Sequence, residues 1–320
     1  METCLVTGGA GFIGSHIVEA LLARGRRVRV LDNFSTGDPA NLAAVRDDVE
    51  VIDGDVTDRA ALPAAMRGVD VVFHQAALAS VPRSVADPVA THEACATGTL
   101  NVLQAARDGG VRRLVYAASS SAYGNSVRLP KRENDPTAPL SPYAVAKLAG
   151  EHYCAAFSEV YGLETVRLRY FNVFGPRQSP DSAYAAVIPL FLREMLAGRR
   201  PRVHGDGEQS RDFTFVDDVV RANLLAAEVP GASGRVYNVA GGRRVSLLQL
   251  VTTINALLGT DIAPIHGPPR PGDVRHSEAD ISRAGAELGY APRVSIEAGL
   301  RRCVDTFMGR GRTTARAEVA

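Results

Sequence analysis

Short apolar runs alternate with helix-periodic stretches through the first half of this chain. Cys4-Leu5-Val6-Thr7, Val28–Leu31, Val49–Ile52, Val69–Phe73 and Leu114–Ala117 are brief and mostly rich in branched residues, so they predict strands. Between them, Ser15–Arg24, Ala60–Met66 and Thr97–Ala106 space their apolar residues as helices do. Strand–helix alternation at this spacing predicts a parallel, doubly wound α/β sheet. Thr165–Tyr170 predicts a sixth strand, after which Gly175-Pro176, Ser179-Pro180, Gly205–Gly207 and the proline run at 268–272 punctuate shorter elements. Arg235–Val239 reads as one more buried strand, so the chain is expected to return to the main sheet. The domain reading is therefore 1–171 with a returning segment at about 213–241, a smaller interleaved C-terminal domain from 172–212 and 242–308, and a frayed tail over 309–320.

The first strand runs into Thr7-Gly8-Gly9-Ala10-Gly11-Phe12-Ile13-Gly14. Gly9, Gly11 and Gly14 fit GxGxxG, while Gly8, Gly11 and Gly14 fit a more open GxxGxxG. Glycines at such a strand-to-helix turn let backbone N–H groups approach a pyrophosphate, which the helix N-terminus also attracts. Asp32 closes the second strand, where an acidic side chain accepts from a ribose 2′-OH and repels a 2′-phosphate, favouring NAD over NADP. This is the mark of a Rossmann sheet. Phe12 and Ile13 in the loop, Asn33 after Asp32, and Gln75-Ala76-Ala77 after the fourth strand complete the candidate cofactor site. Asp55-Val56, ending the third strand, is placed for the adenine.

Ser141-Pro142 opens a helix, with serine as N-cap and proline as first helical residue. Tyr143 and Lys147 then lie four apart on one face. Ser119-Ser120-Ser121 ends the fifth strand, at the edge where α/β sheets place ligands. A free tyrosine has a pKa near 10. A neighbouring ammonium and a positive nicotinamide ring both favour the phenolate, making Tyr143 a usable base. Ser119 or Ser121 can orient the same sugar hydroxyl.

With these residues in view, the chain resembles the nucleotide-sugar 4-epimerases of the extended short-chain dehydrogenase/reductase superfamily. The likeness also takes in Ser121-Ala122-Tyr123-Gly124, the run Arg169–Arg177, Gly205-Asp206-Gly207, Ser210-Arg211-Asp212-Phe213 and Arg270-Pro271-Gly272-Asp273. It implies that Tyr143 is the base, that Lys147 tunes it and holds the nicotinamide ribose, and that Ser119 and Ser121 contact O4. It places Tyr170 near the nicotinamide, and Asn172, Val187, Arg211, Arg270, Asp273 and Ser277 around the UDP-sugar. Two guanidinium groups suit a diphosphate. Where relatives often have Asn, this chain has Cys95, which puts one polar contact near the ribose or sugar in question.

The implied cycle has Tyr143 remove the O4 proton as hydride leaves carbon 4 for NAD. The 4-keto sugar then turns over and takes the hydride back. Dehydratases and decarboxylases of the superfamily carry acidic residues just after the strand-five serine or threonine. Here Ser120 and Ser121 stand there, which favours epimerisation. UDP-glucuronate epimerases tend to have Arg where Ser179 stands, leaving Arg177 as the alternative partner for a sugar carboxylate. Ser277 is small enough to admit an acetamido group, and the run from Ala183 to Pro189 resembles N-acetylhexosamine epimerases. The expected substrates are therefore UDP-N-acetylglucosamine and UDP-glucose. A UDP-glucuronate epimerase, or another nucleotide-sugar dehydratase or decarboxylase, is the alternative. A non-catalytic NAD-sensing protein is more distant.

Composition narrows the field further. A net charge of +1, 6% aromatics and no Trp offer no field or stacking platform for nucleic acid. The four cysteines (Cys4, Cys95, Cys154, Cys303) form no CxxC pair, and the seven histidines show no HxH or HExxH spacing. Reduced thiols, no metal and a cytoplasmic setting are expected. The first residues already read as strand, so no signal peptide is expected, and no apolar run approaches the roughly 18 residues of a membrane span. Apolar faces on Thr97–Ala106 and Tyr143–Ala156, whose equivalents form a bundle in similar enzymes, imply a homodimer.

Overall fold

β1 (Thr3–Thr7), β2 (Arg27–Asp32), β3 (Val49–Asp53), β4 (Val71–His74), β5 (Arg113–Ser119), β6 (Glu164–Tyr170) and β7 (Val236–Val239) hydrogen-bond in the order β7-β6-β5-β4-β1-β2-β3. Every neighbouring pair is parallel. In this computed structural model, residues 1–181, 185–269 and 274–317 are described, with backbone alone over 310–317.

Side-chain alternation supplies two cores. Val6, Phe73 and Val115 pack into one, while Leu5, Val72 and Leu114 pack into the other. The central strands β1, β4 and β5, buried on both faces, read as near-continuous apolar runs. Helices α1 (Phe12–Ala23) and α4 (Val216–Glu228) pack together on the first face, and α2 (Gly98–Asp108) and α3 (Pro142–Tyr161) on the second. The strand order reverses between β1 and β4, so a crevice opens at their C-terminal ends.

The chain leaves the sheet after β6 and supplies β7 only at Val236. Short pairs brace the intervening and following segments: Val173–Phe174 with Thr214–Phe215, Ser210–Asp212 with Arg244–Ser246, and Arg202–His204 with Ile265–Gly267. The final helix, Ile296–Ala317, carries its backbone through most of the stretch read as a frayed tail. No proline interrupts it, and its glycines each cost only about 1 kcal/mol.

Candidate active site

A cavity of about 1130 Å³ occupies the crevice. At one end Gly8, Gly11, Phe12, Ile13 and Gly14 form its floor. The structure resolves the glycine ambiguity in favour of the open spacing. Gly8 has φ +68, and a Cβ there would lie 2.7 Å from Ala76 N; one on Gly14 would lie 2.1 Å from Gly8 O. Gly9 instead packs down onto Val30, where a Cβ would be 2.7 Å from Cγ1. The cradle thus fits a pyrophosphate lying against backbone, which a side chain would fill.

Asp32 is buried at the edge of this cradle and lines the cavity. Its carboxylate accepts from Ala10 N and Phe34 N, both at 2.9 Å. Burial pushes its pKa up, and those two N–H groups oppose the rise. Asn33 Nδ2 donates to Asp55 Oδ2 at 2.6 Å, and Asn33, Asp55 and Val56 line the same end. Gln75, Ala76 and Ala77 line the cavity beyond β4.

Capping of α3 by Ser141, whose Oγ accepts from Ala144 N at 3.2 Å, points Tyr143 and Lys147 into the crevice. Lys147 Nζ donates to Ala117 O at 2.9 Å and lies 5.0 Å from the Tyr116 ring centroid. Burial holds the Lys147 ammonium below its usual pKa. Burial also raises the Tyr143 phenol, with nearby Cys95 adding to the rise and a hydrogen bond with Ser119 opposing it. Ser119 Oγ accepts from Ser121 Oγ at 2.8 Å and from Ser121 N at 3.2 Å. Ser119 thus caps the turn Ser120–Tyr123 while facing Tyr143, and both serines line the cavity. Cys95 is fully buried in an apolar cluster with Ala96 and Ala146, against which Tyr143 packs. It offers Tyr143 an apolar wall where an amide would offer hydrogen bonds.

His74 is a satisfied core residue. Thr99 Oγ1 donates to Cys95 O at 2.7 Å, so it accepts from His74 Nε2 at 3.0 Å, leaving Nδ1 to accept from Thr7 Oγ1 at 2.7 Å. Full burial drives its pKa down to about 3, with Lys147 contributing in the same direction.

At the other end Asn172, Arg211 and Ser277 line the cavity. Asn172 holds φ 27, a left-handed conformation that asparagine tolerates. Arg211 donates to Ser210 O at 2.9 Å, and Ser277 N to Ser210 O at 3.0 Å, so the two segments are laced together. Two placements differ from expectation. Val187 opens the helix Val187–Leu196 and packs partly buried against the core, so Ala185 and Ala186 line the cavity in its place. Arg177 binds Glu19 and Ser15 on α1 and does not line the cavity. Arg270 and Asp273 lie outside the described residues.

Three cavity or near-cavity groups escaped sequence reasoning. Asn223, buried on α4, exchanges hydrogen bonds with the Tyr170 hydroxyl (2.8 and 3.0 Å), and both meet Gln75 at 3.2 Å. Burial pushes the Tyr170 phenol up to about 12. Gln178 donates to Val173 O at 3.1 Å but leaves Oε1 buried without a partner among the described residues, and Lys131 lines the cavity although it is 2% exposed. None belongs to a spacing that marks it; only the fold brings them in.

A parallel sheet with a glycine cradle, a strand-end serine and a Tyr-xxx-Lys helix defines a dinucleotide-dependent enzyme scaffold. Residues 4–240 match the NAD dependent epimerase/dehydratase family, and the chain belongs to that family. It is 40% identical over 308 residues to a UDP-glucose 4-epimerase of Mycolicibacterium smegmatis, covering 95% of this chain and 97% of that one. A solved UDP-N-acetylglucosamine 4-epimerase from Methanobrevibacter ruminantium, in complex with UDP-N-acetylmuramic acid, is 40% identical. It superposes with a TM-score of 0.92, covering 97% of this chain and 99% of that one. The UDP-glucose 4-epimerase of Thermus thermophilus, solved with NAD, gives 39% identity and a TM-score of 0.88 over 96% and 99%. No helix among the described residues is long and apolar enough to cross a membrane, and they contain no cluster of three potential metal ligands.

Proposed function

We propose that the protein is an NAD-dependent 4-epimerase interconverting UDP-N-acetylglucosamine with UDP-N-acetylgalactosamine, and also UDP-glucose with UDP-galactose. The observation that carries this reading is the meeting of Ser119, Tyr143 and Lys147 in one crevice, where the turn Ser120–Tyr123 presents no carboxylate. Elimination needs such an acid; inversion at carbon 4 does not.

Gly8, Gly11, Gly14, Asp32, Asn33 and Asp55 would hold NAD, which when bound supplies the hydride acceptor and donor for carbon 4. Tyr143 takes the proton from O4 and later returns it. Ser119 orients that oxygen, with Ser121 donating to Ser119. Lys147 keeps a positive charge close to Tyr143, which lowers the cost of the phenolate. Arg211 and Asn172 hold the nucleotide while the sugar presents its second face. The buried Gln178 acceptor is satisfied by a ligand N–H, such as that of an acetamido group.

The protein is further proposed to act as a homodimer. Val85, Val89, Leu140 and Val145 are each more than half exposed on or beside the mutually packed helices Val81–Ala86, Pro88–His92 and α3. Light scattering behind size exclusion gives twice the chain mass if this is right.

The test of function is direct. Purified protein is incubated separately with UDP-N-acetylglucosamine, UDP-glucose and UDP-glucuronate, and the products are chromatographed. The 4-epimers of the first two should appear, the N-acetyl one faster. Absence of both refutes the reading.

A further inference from the structure

Lys131 has no part in the chemistry above, yet its position is hard to explain by stability alone. A buried ammonium is costly unless its charge and donors are compensated. Lys131 carries three N–H donors, and the structure gives them one acceptor, the carbonyl of Ser126. Among the described residues it forms no ion pair at contact distance, and the attraction of Asp135 from further off only partly offsets its burial. Its neighbour Asp135 is taken by Arg128 at 2.9 Å and by Arg132 N at 2.8 Å.

The backbone of Lys131 is fixed on both sides. Its N–H donates to Glu278 O at 2.8 Å, and its carbonyl accepts from Asp280 N at 2.8 Å and from Asn238 Nδ2 at 2.9 Å. Lys131 and Ala279 form a parallel bridge. Residues two apart on an extended segment share a face, so Lys131 stands beside the stretch that carries Ser277, and both line the cavity. The same wall continues through Tyr123 and Gly124 to Ser121, at the reacting end.

We propose that Lys131 is a specificity-determining residue whose ammonium donates to the carbonyl oxygen of an acetamido group on the bound sugar. This rests on the N-acetylhexosamine reading above. The small Ser277 leaves room for the group, and the ammonium supplies its polar partner. A plain hexose places only a hydroxyl at that carbon and leaves the donors largely unmet.

The test compares wild type with Lys131→Met, which keeps the stem and removes the charge, on UDP-N-acetylglucosamine, UDP-glucose and UDP-glucuronate. For the N-acetyl sugar, kcat/KM should fall by at least about tenfold, mainly through KM, as expected for loss of a charged hydrogen bond. For UDP-glucose the constants should stay within about threefold, since no contact is removed. Equal losses on both neutral sugars, or no loss, overturn the proposal. A loss confined to UDP-glucuronate also overturns it, by assigning the ammonium to a carboxylate. Unchanged inhibition by UDP and an unchanged melting temperature show that the variant is folded. If it is not, Lys131→Leu, which likewise removes every donor, should show the same selective loss, and its absence overturns the proposal. Failure of wild type to turn over UDP-N-acetylglucosamine at all refutes the substrate reading first, and is seen before any variant is compared.

Discussion

A Cβ placed on Gly14 would lie 2.1 Å from the carbonyl oxygen of Gly8, closer than any side chain can approach backbone. The two glycines therefore fix the same turn from opposite ends. Gly14→Ala should push the helix start away from the turn and weaken NAD binding by at least about tenfold. The NAD retained after purification, measured by enzymatic assay of the denatured supernatant, checks this. Retention equal to wild type would mean that the cradle does not seat the pyrophosphate.

Tyr143→Phe removes one hydroxyl and leaves the ring against Cys95 and Ala146. Binding of NAD and UDP-sugar should persist while kcat falls by at least about a hundredfold, the scale of acid–base catalysis. Near-normal turnover would exclude Tyr143 as the base.

Ser277→Tyr should fill the space beside Lys131 and abolish turnover of UDP-N-acetylglucosamine. UDP-glucose turnover should stay within about tenfold, because no transition-state contact is lost. Survival of the N-acetyl activity in this variant shows that position 277 is not the gate.

Asp212 gives a pH prediction with a definite sign. It is 0% exposed, its Oδ2 accepts from Ala279 N at 3.1 Å, and burial raises its pKa from 3.8 to about 7. A carboxyl raised on folding binds its proton more tightly in the folded state. Its contribution is therefore most favourable below pH 4 and is lost as pH rises towards 7. Asp212→Asn should be increasingly favourable relative to wild type as pH climbs through that window, by up to about 4 kcal/mol. The difference in melting temperature between the two proteins at pH 5 and pH 8 measures it; a difference that does not grow with pH contradicts the assignment.

The central strands β1, β4 and β5 were legible as near-continuous apolar runs because both their faces are covered, while β2 and β3 showed instead as branched residues alternating with Arg29 and Glu50. Tyr143, Lys147 and Ser119 were legible because each sits at a fixed offset from a cap or strand end. Asn223 and Lys131 were not, because each reaches its place through a long-range contact, and Gln178 sits in a loop whose spacing carries no mark. Asn223 meets Tyr170 across 53 positions, and Lys131 meets Asp280, which lies beyond β7 in the chain. Val187 begins a helix, and its side chain packs partly buried against the core. Its neighbours Ala185 and Ala186 take the cavity side.

The Asn238 side chain has a consequence for motion. It accepts from Tyr123 at 2.6 Å and donates to Lys131 O at 2.9 Å and to Asp280 O at 3.1 Å, all from within β7. One buried amide thus sews the loop after the strand-five serines and the stretch after Ser277 onto the central sheet. Elements joined so deeply open together or not at all. The amide hydrogens of Lys131 and Asp280 are therefore expected to exchange with solvent more slowly than those of the surrounding loops. On the proposed reaction, a sugar ring turning over in the cavity would meet a wall braced by these three hydrogen bonds on this side.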